Sequence, residues 1–222
     1  MNLDELAAVL EEIRGVDPKA VPDGAVSAER YTRSKPRTVW ILREVNDPGD
    51  TDWDLRTFLG SDDPKTGLGS YSRWSSTYGF VAKSSRAMQE GLDSAAVGRW
   101  TAWDARDFLR DIAVLNVNKS RGRSQAHWPT LRRAAMRYRP QLRHQLLILE
   151  PQLVIAAGTW ELLAHGELGL PEVVGEGMVG AVCRDTTYWV RAPHPCRMRK
   201  PQATVYQMLL DALGEAGWNG SW

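Results

Sequence analysis

Acidic residues are missing from a long central stretch of the chain. No Asp or Glu lies between Asp111 and Glu150, whereas eight Lys and Arg residues do. The 222 residues carry a net charge of only +1, so overall composition gives no sign of a polyanionic partner. Charge that cancels overall but is separated along the chain can still form one basic face. We therefore expect a cationic surface in this region, with an ordinary solvated helix surface as the alternative.

Cysteines and long apolar runs are also scarce. The two cysteines, Cys183 and Cys196, form no CxxC or Cys/His pattern, so we expect no zinc site, no iron–sulfur cluster and no other cofactor. The sequence shows no signal peptide and no apolar run of membrane length. We expect a reduced, soluble, cytoplasmic and monomeric protein that does not bind membranes.

Hydrophobic patterning predicts alternating strands and helices. Helical spacing predicts helices at 2–14, 82–95, 102–110, 129–149 (broken at Pro140) and 201–216, and apolar runs predict four strands at 38–42, 111–117, 153–158 and 186–191. Strands that alternate with helices form parallel βαβ units. We predict an α/β protein, a three-layer α/β/α sandwich with a central four-stranded, mostly parallel sheet. Residues 1–37 are expected to form an N-terminal helix and connector, and residues 38–222 the main domain.

Three polar turns follow predicted strands, at 43–50, 116–123 and 193–200. Ligands of open parallel sheets bind beyond the carboxyl ends of the strands. The topology alone therefore brings these three turns together at one edge. A fourth segment, residues 60–80, is rich in Gly, Ser, Asp and aromatic residues and is predicted to be a long functional loop.

The turn after the last strand has the most distinctive sequence, Arg191-Ala192-Pro193-His194-Pro195-Cys196-Arg197-Met198-Arg199-Lys200. Its two prolines on either side of His194 hold the histidine in a stiff, extended turn. Four cations surround the ring without any acidic residue. A fixed imidazole in a basic setting suits an anionic ligand or a polyanion, and a turn without function is the alternative.

Four segments together resemble the uracil-DNA glycosylase superfamily. The stretch 115–121 (Leu-Asn-Val-Asn-Lys-Ser-Arg) is similar to the Asn-Val-Val-Lys-Cys-Arg stretch of its thermostable branch, and residues 142–158 resemble its helix, Leu-x-Pro strand entry and Leu-Gly end. His194-Pro195-Cys196 resembles the His-Pro-Ser motif, and residues 46–49 (Asn-Asp-Pro-Gly) resemble the water-activating turn. The resemblance covers residues 38 to about 216.

The resemblance implies a DNA glycosylase, which flips a base out of the stack and hydrolyses its N-glycosidic bond. Asp47 or Glu44 would activate water beside the sugar, or would merely cap the turn. His194 would stabilise charge on the leaving base as a hydrogen-bond donor. Asn116 would read the base edge through its donor and acceptor, or would only cap the backbone at the strand end, and Asn46 would be a further substrate contact.

The same resemblance implies residues that stack on the base and residues that bind the DNA. Tyr78 or Phe80, with Trp74 as an alternative, would stack on the flipped base unless they are core residues. Arg197 or Met198 would fill the gap left by the extruded base as a wedge. The phosphates of duplex or single-stranded DNA would be held by Lys119, Arg121, Arg199 and Lys200, with a solvated basic turn as the alternative.

The chain departs from the family pattern at three points. Arg43 stands where the first strand usually ends in glycine, Tyr138 stands near the place of a cluster cysteine, and Cys196 replaces the serine. These departures point away from plain uracil. The expected substrate is a damaged or modified base, uracil-like or a hypermodified pyrimidine, as in DNA repair or phage defence. The alternatives are an inactive DNA-binding module of the same fold and a nucleotide-processing enzyme.

Overall fold

The computed structural model describes residues 2–46, 54–62, 75–122, 127–164 and 177–222. The strands in these ranges are β1 (Gly24–Ala25), β2 (Thr38–Asn46), β3 (Ile112–Gly122), β4 (Leu153–Ala157), β5 (Gly180–Arg184) and β6 (Thr187–Ala192). The α-helices are α1 (Leu3–Val16), α2 (Ala28–Arg33), α3 (Leu55–Gly60), α4 (Ser75–Gln89), α5 (Ser94–Arg99), α6 (Ala102–Ala105), α7 (Trp128–Arg137), α8 (Arg139–Leu149), α9 (Trp160–Ala164) and α10 (Gln202–Glu215). Short 3₁₀ helices span Arg106–Asp111 and Pro195–Arg197.

The described strands form one mixed sheet of six, in the order β1-β3-β2-β4-β6-β5. The four inner strands run parallel, while β1 and β5 pair antiparallel at the two edges. The α/β class predicted from the alternation of elements is confirmed, but the predicted number of four strands is wrong. β1 has only two residues, and β5 turns tightly into β6 at Asp185, whose φ is +55°, so neither gives a separate periodic signal.

β4 and the first halves of β2 and β3 are apolar because both of their faces are covered. Trp40 and Leu42 of β2 face what we call the first core, which α3, α4, α5 and α10 complete. Val39 and Ile41 face the second core, which α2, α7, α8 and α9 complete. Since successive side chains of a strand point to opposite faces, one continuous apolar run serves both cores.

Helix α1 packs against α7 and α8. Its buried side chains Val9 and Ile13 belong to a third apolar cluster with Ala134, Tyr138 and Ile148. Residues before position 38 therefore contribute a packed helix as well as the edge strand β1.

Two strands run further than predicted. β2 continues to Asn46 and β3 to Gly122, and their pairing continues through the polar residues, with Glu44 opposite Asn118. The register shifts between Glu44 and Asn46. Polar residues that follow an apolar run suggest a turn, but here they remain paired strand residues.

The predicted loop over 60–80 is wrong at its carboxyl end. Residues 75–80 form the start of α4, which begins at Ser75 and not near residue 82, while residues 63–74 lie outside the described part of the structure. The predicted break in the helix over 129–149 is confirmed, since α7 and α8 meet at Tyr138. Pro140 lies in the first turn of α8, where its missing N–H costs no hydrogen bond.

Replacement of Ile13 by alanine tests whether α1 is part of the folded unit. Ile13 is 2% exposed, so the loss of its side chain should lower the free energy of unfolding by about 2–5 kcal/mol. Urea unfolding followed by circular dichroism measures the change. Leu147→Ala, at a site 72% exposed on α8, is the matched control and should change stability by less than about 0.5 kcal/mol. Equal effects of the two substitutions would contradict the packing of α1.

Candidate active site at the carboxyl ends of the parallel strands

The candidate site lies where β4 and β6 end, at the level of Leu42 in β2 and Asn116 in β3, beyond which β2 and β3 continue. Asn116 of β3 lies opposite Leu42 of β2, and Ala157 of β4 lies opposite Ala192 of β6. The chain passes from β2 outward to β3 and then returns to β4 on the other side of β2. The strand order therefore reverses between β2 and β4, and such a switch point opens a crevice in which ligands bind.

The side chain of Asn116 is buried without a hydrogen-bond partner. It is 1% exposed, and neither its Oδ1 nor its Nδ2 has a partner among the described residues. A buried polar group that stays unpaired costs about 1–3 kcal/mol. A ligand with a complementary donor and acceptor would recover this free energy.

A buried carboxylate fixes the backbone at Asn116. Oδ2 of Asp23 accepts the backbone N–H of Asn116 at 2.7 Å, on the side of β3 where β1 pairs. Further along, the N–H of Val21 donates to the carbonyl of Lys119 at 2.8 Å. The segment before β1 thus follows the edge of β3, and the Asp23 side chain takes the place of one backbone acceptor.

The prediction that Lys119 contacts phosphate is wrong. Its side chain is wholly buried, and Nζ donates to both carboxylate oxygens of Asp23 and to Oε1 of Gln145, each at 2.8 Å. Burial lowers the pKa of Lys119, although the charge of Asp23 opposes this shift. Because β3 continues through this position, the side chain points into the protein and not from a surface turn.

Glu44 is held in place by the neighbouring strand. Nδ2 of Asn118 donates to Oε2 of Glu44 at 3.0 Å. The half-buried Glu44 side chain lies over Gly122, where an added Cβ would come within 2.5 Å of it. The lack of a side chain at Gly122 therefore makes room for the carboxylate.

Of the other predicted residues, Asp47, Trp74 and the side chain of Asn46 lie outside the described part of the structure.

Arg43 bridges the switch point between β2 and β4. Its Nε donates to the carbonyl of Gly158, just after β4, at 3.0 Å, and its guanidinium lies 5.3 Å from the centroid of the Trp128 ring. Gly158 has a φ of +67°, and an added Cβ there would come within 2.7 Å of the Cβ of His194. Glycine therefore permits both the left-handed backbone and the close approach of His194 to the end of β4.

His194 is a neutral hydrogen-bond donor in this setting. Burial, together with the charges of Arg43 and Arg197, lowers its pKa from 6.5 to about 4. The backbone N–H of Cys196 donates to Nδ1 of the ring at 3.4 Å, and the Cys196 thiol lies 3.0 Å from the same atom. Since a backbone N–H can only donate, the single proton of the neutral ring lies on Nε2. The Nε2–H group can therefore donate to a ligand.

Tyr78 and Phe80 lie in α4 and the first core, and not in the predicted loop. Phe80 is fully buried and meets Trp40 edge-to-face, with 6.0 Å between the ring centroids. Tyr78 is also buried, and burial with the nearby charge of Asp23 raises its pKa. Both rings pack as core residues in this structure, which is the alternative to base stacking considered above.

The turn after β6 carries exposed cations. Arg197, Arg199 and Lys200 are exposed, while Met198 is half-buried against the first core. Arg121 belongs to β3, and its side chain is outside the described part of the structure. The turn thus presents positive charge beside His194, close enough for Arg197 to lower the pKa of that ring.

Sequence reasoning missed three contributions to this edge. Asp23 lies in a segment predicted to be a connector, and its partner Asn116 is 93 residues away. Arg43 follows an apolar strand directly, and a cation in that position is a signal that the sequence offers. Trp128 precedes Pro129, and the proline predicts only the start of a helix and no role for the aromatic ring.

No protein-family model and no curated protein matches the chain. Within the described ranges, no helix is long and apolar enough to cross a membrane. No group of three or more His, Cys, Asp or Glu residues that could hold a metal ion occurs in that part of the chain either. A functional assignment therefore depends on the chemistry of the site itself.

His194 should make the stability of the protein depend on pH. The unfolded chain takes up a proton on this ring near pH 6.5, and the folded protein does so only near pH 4. The unfolded state therefore binds more protons between these values. Stability that is fully present above pH 6.5 should be lost as the pH falls towards 4, by about 3 kcal/mol.

Urea unfolding isolates this contribution. The wild type and His194→Gln are each measured at neutral pH and near pH 4, the pKa of His194 in the folded protein. The wild type should lose about 2–3 kcal/mol more than the variant on acidification, because only the wild type carries the ring. Equal losses would mean that His194 is not held neutral.

Proposed function

We propose that this protein is a DNA glycosylase that hydrolyses the N-glycosidic bond of a flipped-out, modified base. The observation that carries the proposal is the side-chain amide of Asn116, which is buried and has no hydrogen-bond partner among the described residues. Asn116 lies on the face of β3 that is turned towards the first core. An amide offers one donor and one acceptor in one plane, which suits the adjacent donor and acceptor on the pairing edge of a uracil-like pyrimidine. Burial limits this contact to a base that has left the DNA stack.

The sheet sets the separation between the two groups that would contact the base. The strands β3, β2, β4 and β6 are neighbours in this order. The backbone at Asn116 and the turn that follows β6 are therefore three strand spacings apart, about 14 Å. This is a distance that one base and the side chains of Asn116 and His194 can span.

His194 would stabilise the leaving base. When the bond between sugar and base breaks, its electron pair stays with the base and places negative charge on a base oxygen. A neutral imidazole whose Nε2–H is oriented through Nδ1 can donate to this oxygen without first losing or gaining a proton. Fixed donors of this kind are typically worth about 10²–10³-fold in rate.

A carboxylate at the end of β2 would activate the water. The water oxygen bonds to C1′ of the sugar as the bond from C1′ to the base nitrogen breaks, and a water proton passes to the carboxylate. The negative charge of this carboxylate also stabilises the positive charge that develops on the sugar as the bond to the base breaks. Glu44, held by Asn118, and Asp47 are the candidates, and both remain in the proposal.

Exposed cations support a polyanionic substrate. The turn after His194 contributes Arg197, Arg199 and Lys200, and helix α7 contributes Arg132 and Arg133. Each phosphate contact releases counterions, so the affinity for DNA should fall steeply as salt is added. A small nucleotide would need fewer cations, which favours DNA over the nucleotide-processing alternative.

An inactive DNA-binding module is the second candidate function. It is favoured by the burial of Tyr78 and Phe80, since neither ring is placed to stack on a base in this structure. Such a module would keep the cationic surface and would lack base excision.

Base excision is the direct test. Duplex and single-stranded DNA carrying uracil, other deaminated bases or glucosylated hydroxymethylcytosine is incubated with the protein and then treated with alkali. Strand breaks are expected at a modified base. Asn116→Leu and His194→Ala should each lower the single-turnover rate by about 10²–10³-fold, whereas Glu44→Gln and Asp47→Asn, compared with each other, identify the carboxylate.

His144→Ala, at a partly exposed histidine of α8, is the matched control and should keep the wild-type rate. Salt-sensitive DNA binding without abasic sites on any of these substrates would establish the binding module instead. Full rates in both Asn116→Leu and His194→Ala would refute the roles assigned to these residues.

A further inference from the structure

Trp128 presents an aromatic face near the candidate site. The residue is 45% exposed at the first position of α7, and it belongs to none of the three apolar clusters. Packing of the protein interior therefore does not explain its position.

Arg43 connects this ring to the turn that contains His194. Its guanidinium lies 5.3 Å from the centroid of the indole, while its Nε is bonded to the carbonyl of Gly158. Gly158 in turn lies directly against His194. A cation over an indole is an attractive contact that also restricts the ring. The aromatic face is thus held beside the switch point of the sheet.

A cavity of about 400 Å³ lies against the indole and is lined by Trp128, Pro129, Arg132, Glu161 and Leu162. Its volume falls within the range of about 300–1,000 Å³ that small-ligand pockets have. The lining combines an aromatic ring and apolar side chains with a cation. The lining also includes one acidic residue, Glu161.

The charge on helix α7, at one side of the cavity, favours an anionic chain. Helix α7 contains no acidic residue, and Arg132 and Arg133 are exposed on it. The segment from residue 112 to residue 149, which includes α7, has no Asp or Glu at all. A ligand with a flat aromatic group and a neighbouring negative charge would match both the ring and Arg132.

We infer that Trp128, Arg43 and Arg132 form a stacking site for a nucleobase of single-stranded DNA, next to the base that Asn116 and His194 would contact. The inference rests on the proposed function for the identity of the ligand as DNA. Every base has a π face, so stacking on the indole accepts any sequence. Only an unpaired base can leave its neighbours to stack on protein, so the site selects single strands over duplex.

Fluorescence anisotropy with two labelled strands tests the stacking site. One strand is a short oligothymidylate, and the other is an abasic strand of equal length and equal phosphate number. The wild type should bind the oligothymidylate more tightly. Trp128→Leu keeps apolar bulk without a π face, so it should weaken oligothymidylate binding roughly 5- to 150-fold and leave abasic binding unchanged. Trp128→Phe should retain part of the preference.

Two further variants separate stacking from charge. Arg132→Gln should weaken the binding of both strands equally and reduce the slope of log K against log salt by about 0.7. Met136→Ala, 72% exposed on the same helix, is the matched control and should bind both strands like the wild type. Melting temperatures of all variants verify that each one is folded.

Three results would overturn the inference: equal affinity of the wild type for the two strands, unchanged oligothymidylate affinity in Trp128→Leu, or no binding of either strand at low salt. Base excision is measured separately. Excision without a Trp128-dependent preference would refute the stacking site alone. A Trp128-dependent preference without excision of any base would refute the proposed glycosylase alone.

Discussion

The buried carboxylate of Asp23 is the interaction on which the geometry of the candidate site depends. It accepts hydrogen bonds from the backbone of Asn116, from Lys119 and from Gln145, and so joins the N-terminal segment, β3 and α8. Removing one partner of a buried ion pair typically lowers the free energy of unfolding by about 3–5 kcal/mol, because the remaining charge is left buried without compensation. The network satisfies the backbone at Asn116 and leaves the side-chain amide of that residue unpaired. A buried, hydrogen-bonded scaffold thus carries an unsatisfied polar side chain at the candidate site.

His194 resembles Asn116 in that a hydrogen bond within the protein holds the residue in place while its side chain keeps a hydrogen-bond donor without a partner among the described residues. Cys196 holds Nδ1 of the ring, while burial and the charges of Arg43 and Arg197 keep the ring neutral. These cations therefore have two effects: they make the edge attractive to a polyanion, and they prevent the imidazole from becoming another cation. Arg43 also determines how the parts of the edge are arranged, because its one side chain contacts Gly158 and lies over Trp128.

The parallel centre of the sheet could be predicted because β2, β3 and β4 are apolar on both faces and alternate with helices. The placement of His194 in a turn could likewise be predicted, since the prolines on either side of it restrict the backbone locally. Lys119 could not be assigned from sequence, because its direction depends on the continuation of β3, which long-range pairing such as Glu44 with Asn118 maintains. Tyr78 and Phe80 were misplaced because the start of α4 at Ser75 has no strong local signal. The role of Asp23 depends on a contact between distant segments, which no local pattern encodes.

The central claim is that the Asn116 amide is reserved for a base. The most direct measurement is the NMR signal of its side-chain NH₂ group, assigned by its loss in Asn116→Leu, as DNA is added. The DNA carries the excised base through a carbon–carbon glycosidic bond, which the protein cannot hydrolyse, and unmodified DNA is the reference. We expect the Nδ2 protons to shift downfield and to exchange more slowly with the modified strand only. An unchanged signal at saturating modified DNA would contradict it.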